Sequence, residues 1–187
     1  MTPAHADVQL FDDVLDHEDR RPAAFLPGAL DAAATHAAVL HAEMLLVALA
    51  NSEGARGIDD KDEHAEHVSG LQRVEAKLDL LLGLFGMLLR ERGHLPPPAR
   101  LRWSPRGACI ELLGDVLAVR PGAAGVLRVQ PAEWLPDCID LPARVIAADA
   151  THVWLEFASL PPALAEALER HLFRLHRRQV AEARRQR

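Results

Sequence analysis

The stretch that decides the fold of this chain reads Arg102-Trp103-Ser104-Pro105-Arg106-Gly107-Ala108-Cys109-Ile110-Glu111-Leu112. Serine and proline favour the start of a tight turn, and the glycine that ends it permits backbone angles that other residues avoid. The residues after the glycine are mostly apolar, which is typical of a short buried strand. The stretch therefore predicts a turn that opens a strand, with arginines before and within the turn.

Similar strand patterns surround this turn and are separated by glycine, proline and aspartate. They span residues 100–103, 109–113, 116–119, 125–129, 143–147 and 153–157. Six short strands in one small region predict an antiparallel β-barrel. Pro161-Pro162 then starts a last helix, because proline is tolerated in the first helical turn. Its apolar residues, among them Leu164, Leu168 and Leu172, share one face.

Two heptad-patterned helices are predicted before the barrel, where apolar residues recur at steps of three and four. The seam of the first helix contains Leu30, Leu40, Met44 and Val47, and the seam of the second contains Leu71, Val74, Leu78, Leu81, Phe85 and Leu88. The second helix is also apolar beside its seam, which is more than a two-stranded coiled coil needs. A face of this width predicts an oligomeric bundle, and we expect a homotetramer.

The predicted fold class is α+β, with three regions. Pro96-Pro97-Pro98 cannot continue a helix, so the barrel with its C-terminal helix is assigned to residues 94–187. Residues 26–93 form the two-helix oligomerisation region. Residues 1–25 show no sustained periodicity and are expected to be an N-terminal tail with a short docked segment.

Composition and charge limit the functions that the chain can have. Of its 187 residues 49% are hydrophobic, and the net charge of −6 argues against a chain devoted to nucleic acid. The first residues lack the pattern of a secretion signal, and the apolar run at residues 80–89 is about half of the ~20 residues that a membrane span needs. With only two cysteines, we expect a cytoplasmic protein with reduced thiols, no membrane span and no nucleic-acid partner.

The region from the turn to the C-terminus resembles the PilZ domain, the bacterial cyclic di-GMP binding module. The resemblance rests on Ser104-Pro105-Arg106-Gly107 with the strand that follows, and on Val153-Trp154-Leu155-Glu156-Phe157 leading into a basic helix. With heptad helices before the barrel, the whole chain is similar to the atypical, tetrameric PilZ family, in which such helices assemble four chains. This resemblance implies a non-enzymatic regulator or adaptor of cyclic di-GMP signalling that has protein partners.

The ligand motif of the family is [Asp/Asn]-x-Ser-x-x-Gly, in which the acidic or amide side chain and the serine hold the guanine edge. Ser104 and Gly107 match the motif, but Arg102 stands at its first position. A guanidinium has only hydrogen-bond donors, whereas the N–H groups of guanine need an acceptor. The second family motif, Arg-x-x-x-Arg before the barrel, is missing from residues 90–100. We therefore expect no cyclic di-GMP at the usual site.

An altered ligand site is the first alternative. Guanidinium groups bind phosphate through paired hydrogen bonds, so a cluster of arginines around the turn has the charge to hold cyclic di-GMP in another pose. This altered site would contain Arg100, Arg102, Ser104, Arg106 and Gly107.

A metal site is the second alternative. His64 and His67 lie three residues apart among carboxylates at the start of the second helix, and this spacing suits a shared metal ion. Acidic residues also favour a helix N-terminus without any metal. The chain has no nucleophile elbow and no phosphate-binding glycine loop, so we expect neither an enzyme nor a tightly held cofactor.

Overall fold

Three helices and six strands make up the part of the chain that the structure, a computed structural model, describes: residues 1–55, 78, 95–112 and 119–185. They are α1 (Pro3–Phe11), β1 (His17–Pro27), α2 (Ala32–Ala55), β2 (Pro98–Trp103), β3 (Gly107–Glu111), β4 (Ala124–Val129), β5 (Ile139–Ala148), β6 (His152–Phe157) and α3 (Pro162–Arg185). The strands close into an antiparallel barrel in the order β1-β2-β3-β6-β5-β4. The predicted barrel and the predicted C-terminal helix are confirmed.

Strand β1 closes the barrel because its two halves pair with different neighbours. Residues 17–22 run antiparallel to β2, and residues 23–27 run antiparallel to β4. Pro22 lies where the pairing changes, a position that tolerates a residue without an amide hydrogen. Its carbonyl still accepts a hydrogen bond from the N–H of Gln130 at 2.9 Å. The N-terminal segment is therefore part of the barrel wall.

The N-terminal tail expected for residues 1–25 is wrong, because these residues hold α1 and most of β1. The short docked segment expected within it is present, since Leu10 and Phe11 of α1 are buried. The strand escaped the sequence pattern because His17, Asp19 and Arg21 occupy alternate positions that would otherwise be apolar. The barrel takes its sixth strand from this segment. Of the strand predicted at residues 116–119, Val119 lies outside any strand and the rest lies outside the described residues.

The main core fills the barrel and continues under α3. Its largest fully buried barrel side chains are Leu101, Trp103, Ile110, Leu127, Ile139, Leu141 and Leu155. Leu164, Leu168 and Leu172 of α3 are fully buried in the same cluster, on the face that the sequence predicted. A buried leucine stabilises a fold by roughly 1.5–3 kcal/mol, so α3 is firmly attached to the barrel.

Helix α2 carries two apolar faces. Ala42, Leu46 and Leu49 are buried in the main core. Met44 lies two residues after Ala42, and Val47 lies one residue after Leu46. Because successive helix residues are about 100° apart, both point away from the barrel, and Met44 is 66% exposed. The first face attaches α2 to the barrel and α3, and the second is presented to the outside.

The exposed face of α2 is the seam predicted for the first helix. Leu30, just before the helix, and Leu40, Met44 and Val47 on it are all exposed. Leu78 of the second seam is helical and exposed as well. The remaining positions of the second seam lie outside the described residues, and they are Leu71, Val74, Leu81, Phe85 and Leu88.

Helix α2 is unusually apolar along its whole length. By length and composition alone, the stretch Ala32–Asn51 is apolar enough to cross a membrane, a test that the core helices of soluble proteins also pass. Two apolar faces on one helix explain this composition, since one of them packs on the barrel and only the other is exposed.

Candidate functional site

The turn between β2 and β3 has the geometry that the sequence predicted. The N–H of Ser104 donates to the carbonyl of Gly107 at 2.9 Å, and the N–H of Arg106 donates to Ser104 Oγ at 3.1 Å. Ser104 is fully buried, and its hydroxyl donates to the carbonyl of Leu10 in α1 at 2.7 Å. The motif serine is therefore occupied by the turn and by α1.

Arg102 also binds the N-terminal segment. Its Nε donates to Asp16 Oδ2 at 2.5 Å, and one of its terminal nitrogens lies 3.6 Å from Asp7 Oδ2. The guanidinium carbon lies 4.1 Å from the centroid of the Phe11 ring, a cation–π distance. The arginine at the first motif position thus holds α1 and the link that follows it.

The other two arginines of the turn region have partners in the same segment. Arg106 donates to the carbonyls of Gln9 at 3.3 Å and Asp12 at 3.0 Å. These carbonyls lie at the C-terminal end of α1, where a cation also complements the helix dipole. Arg100 forms an ion pair with Glu18 on β1. Each of the three predicted arginines therefore pairs with the N-terminal segment: Arg102 and Arg106 with α1 and the link after it, and Arg100 with β1.

Helix α1 lies against the outside of the barrel. Ala6, Leu10 and Phe11 are buried in a second, smaller cluster with Ala147 and Trp154. Two polar contacts fix the helix above this floor. The Nε1 of Trp154 donates to Asp7 Oδ1 at 2.6 Å, and Gln9 Nε2 donates to Glu156 Oε1 at 2.6 Å.

A polar cluster that is separate from the contacts of α1 lies on the inner side of β1. Arg21 is 8% exposed, and its Nε donates to Asp19 Oδ1 at 2.8 Å while NH1 donates to the carbonyls of Gln130 and Pro131. Its guanidinium carbon lies 5.0 Å from the centroid of the Trp103 ring. His17 Nε2 lies 3.1 Å from Asp19 Oδ2. The cluster borders a cavity of about 480 Å³.

Burial and nearby charges shift the pKa values of two titratable groups in this polar cluster. Burial alone would raise the pKa of Asp19, but the hydrogen bonds from Arg21 and His17 lower it to about 2. Burial, with the nearby charges of Arg21 and Arg174, lowers the pKa of His171 to about 3. Asp19 is therefore the counter-ion of a buried cation at neutral pH, and His171 is a neutral side chain.

The remaining chemical candidates are two histidines and two thiols. His64 and His67 lie outside the described residues, and among the described ones no group of three or more potential metal ligands lies together. Burial raises the pKa of Cys109 to about 12 and that of Cys138 to about 11. Both thiols are protonated at neutral pH, so neither is an activated nucleophile.

A short docked segment was expected near the N-terminus, but the sequence did not show that it meets the turn through Leu10 and Phe11, or that Asp7 and Asp16 pair with Arg102. One signal was present. Thr2 followed by Pro3 is a helix start, with the threonine as N-cap and the proline in the first turn. Nothing local marks Asp16 as a partner of Arg102, because the two are far apart in the chain.

Comparison with known proteins is consistent with this architecture. A family model described as "Atypical PilZ domain, cyclic di-GMP receptor" matches residues 46–185. The chain is 40% identical to a protein of Xanthomonas campestris described as a tetrameric PilZ domain self-assembled via an unusual helical bundle, over 96% of this chain and 97% of that chain, with a TM-score of 0.77. No curated protein matches the chain. The family match covers most of the sequence, and the chain belongs to the atypical PilZ domain family.

Proposed function

We propose that this chain is a non-enzymatic, homotetrameric adaptor of cyclic di-GMP signalling, which presents its barrel to protein partners and binds no cyclic di-GMP at the turn of residues 102–107. The observation that carries the proposal is the pairing of Arg102 with Asp16 at 2.5 Å. The first motif position is thereby committed to an internal contact, and the motif serine donates to α1 in the same way.

The charges of the two family motifs are inverted in this chain. The barrel begins at His17, so the segment before it is residues 12–16, not residues 90–100. This segment contains Asp12, Asp13 and Asp16 and no arginine. An acid therefore stands where the family has its arginine motif, and an arginine stands where the family has its acid. The two inverted positions pair with each other, and the first motif position offers only donors to guanine.

The alternative is a cyclic di-GMP receptor that uses Arg100, Arg102 and Arg106. The family description as a receptor favours it. However, each of these guanidiniums already has a partner in the N-terminal segment. A phosphate group at Arg102 or Arg106 would have to displace α1 or the link after it, and one at Arg100 would compete with Glu18 of β1. This competition makes the altered site the weaker candidate.

Calorimetric titration with cyclic di-GMP at moderate salt tests this part of the proposal. We expect no saturable heat with the wild-type chain, because the guanidinium of Arg102 at the first motif position cannot accept a hydrogen bond from the guanine edge. A dissociation constant near 1 µM, about −8 kcal/mol, would be detected readily. Saturable binding that disappears in Arg102→Ala would establish the altered site and end the proposal. Arg128→Ala is the matched control. Arg128 lies on β4, which does not pair with the strands of the turn, and it forms an ion pair with Asp140.

The tetramer is proposed from the exposed face of α2. Leu40, Met44 and Val47 form an apolar stripe with the spacing of a helix bundle seam. The similar Xanthomonas campestris protein is described as tetrameric. Such a stripe gains stability when other helices cover it.

The free thiols Cys109 and Cys138 suit a reducing compartment, and we place the protein in the cytoplasm.

Light scattering tests the tetramer directly. We expect the wild-type mass to be four times the 20.5 kDa of one chain. The double variant Met44→Glu with Val47→Glu should fall to a smaller species, because a carboxylate buried in an apolar seam costs several kcal/mol. Phe173→Glu, at an exposed apolar position of α3, is the control and should keep the wild-type mass. A monomeric wild type, or a double variant with unchanged mass, would contradict the tetramer.

A further inference from the structure

Helix α1 occupies a groove on the outer surface of the barrel. The floor of this groove, which we call the α1 groove, consists of Cys109, Ile146, Ala147 and Trp154 on β3, β5 and β6. Its rim carries the guanidiniums of Arg102 and Arg106. The groove is therefore apolar at its base and carries two guanidiniums and the carboxylate of Glu156 at its edge, and the helix in it supplies apolar side chains, a carboxylate and the amide of Gln9.

Several features of α1 favour its local opening, although Ala6, Leu10 and Phe11 are buried. It has nine residues, whereas isolated helices shorter than about 12–15 residues are marginal in water. Asp13, in the link to β1, has φ of 55°, a left-handed conformation that costs a non-glycine residue roughly 1–2 kcal/mol. The contact between Arg102 and Asp7 is partly exposed, and such pairs contribute little. Elements of this kind are the first to open in a folded protein.

A cavity of about 300 Å³ adjoins α1 beside Gln9 and Leu10. This cavity is lined by Arg106, Phe157, Leu160 and Ala165 among others. Its lining combines an apolar wall with one cation and with the carboxylate of Glu156, so an acidic side chain is favoured there only beside Arg106.

We propose that the α1 groove is a docking site for an acidic amphipathic helix of a partner protein, which takes the place of α1. The contacts of α1 define the ligand. It needs apolar side chains spaced as Ala6, Leu10 and Phe11 are, and a carboxylate at the position of Asp7 to accept from Trp154 and face Arg102. This inference rests on the proposed adaptor function, for which it names the chemistry of the partner.

The test uses a fluorescein-labelled synthetic peptide of residues 2–13 as the probe and full-length protein as the receptor. Asp7→Lys in the protein removes the acceptor for Trp154 and faces Arg102 with a like charge, so its own α1 opens more often. We expect this variant to bind the probe about ten-fold or more tightly than wild type does, because apparent affinity scales with the open fraction. A probe that itself carries Asp7→Lys should not bind. Asp12→Lys in the protein is the control, since Asp12 meets Arg106 only through its backbone carbonyl.

The thiol of Cys109 reports whether α1 has left the groove. In a Cys138→Ser background it is the one thiol of the chain, and we expect its alkylation by a maleimide to accelerate in Asp7→Lys. If Asp7→Lys leaves the alkylation rate unchanged, Leu10→Asp is used, with circular dichroism as the check on folding. If neither variant exposes Cys109, α1 is a fixed part of the fold and the proposal is wrong.

Two further results would overturn the docking site. The first is rapid alkylation of Cys109 without binding of the probe, which would show an open groove that accepts no helix. The second is an alkylation rate that falls as protein concentration rises, which would identify the occupant as α1 of a second copy. Both readouts are independent of cyclic di-GMP, so failure of the docking site and failure of the proposed function can be told apart.

Discussion

Replacing Asp19 by asparagine is expected to lower the free energy of unfolding by about 3 kcal/mol, because it leaves the charge of a buried guanidinium uncompensated. Arg21 is 8% exposed and receives its only counter-charge among the described residues from Asp19. Its hydrogen bonds to the carbonyls of Gln130 and Pro131 remain in the variant. Urea unfolding at neutral pH, followed by circular dichroism, measures the loss.

A matched control separates burial from ion pairing as such. Asp140 binds Arg128 through two hydrogen bonds of 2.8 and 2.7 Å, but the side chain of Arg128 is 42% exposed. Asp140→Asn should therefore cost less than about 1 kcal/mol, as exposed pairs usually do. Equal losses in the two variants would show that the burial of Arg21 does not decide the effect.

Acid provides a second readout of Asp19. The folded pKa of about 2 lies below the ordinary value of 3.8, so the carboxylate contributes stability that is fully present above the ordinary value and is lost as pH falls through about 2. The free energy of unfolding of wild type should therefore decline between pH 4 and pH 2 more steeply than that of Asp19→Asn. Parallel curves over this range would contradict the assignment.

The parts of the fold that the sequence predicted are those in which a local pattern carries the information. The strand after Gly107 alternates apolar residues that prove to line the barrel, such as Ala108 and Ile110. Helix α3 begins at the proline pair and buries the predicted face. In both cases the residues that bury a surface are neighbours in the chain, so periodicity alone identifies them.

Strand β1 could not be predicted in this way, because its inward positions are polar. Arg21 is tolerated there only since Asp19 and the carbonyls of Gln130 and Pro131 surround it. Those carbonyls belong to a loop more than one hundred residues later in the chain. A pattern of His17, Asp19 and Arg21 therefore looks like a solvated segment until the partners of the arginine are known.

The candidate site shows the same limit. The sequence identified Arg102 as the departure from the family motif, but the reason for an arginine there lies in Asp16 and Asp7, which only the closed barrel brings near it. Pairing of β1 with β2 places Asp16 beside the turn, since His17 stands opposite Trp103. The charge inversion is thus a property of the register between these two strands.

Gly107→Ala is expected to be the most disruptive single substitution at the turn. A Cβ added to Gly107 would lie 2.1 Å from the carbonyl oxygen of Leu155 and 2.7 Å from Cδ2 of Leu10. The first contact is with backbone of the paired strand β6, which cannot move aside without opening the ladder between Gly107 and Glu156. We expect a loss of about 4 kcal/mol or more in the free energy of unfolding, in the range of severe core defects.

Gly122→Ala distinguishes this steric clash from backbone strain. Gly122 has φ of 91° and no atom within 4 Å of an added Cβ, so alanine there carries only the cost of a left-handed backbone, about 1–2 kcal/mol. Urea unfolding of both variants should give a much lower free energy of unfolding for Gly107→Ala than for Gly122→Ala. If the two are equal, strands β3 and β6 separate more easily than their contact implies. In that case the motif glycine is not needed to bring β6 and α1 close to the turn, and a role in ligand binding would again be the better explanation for it.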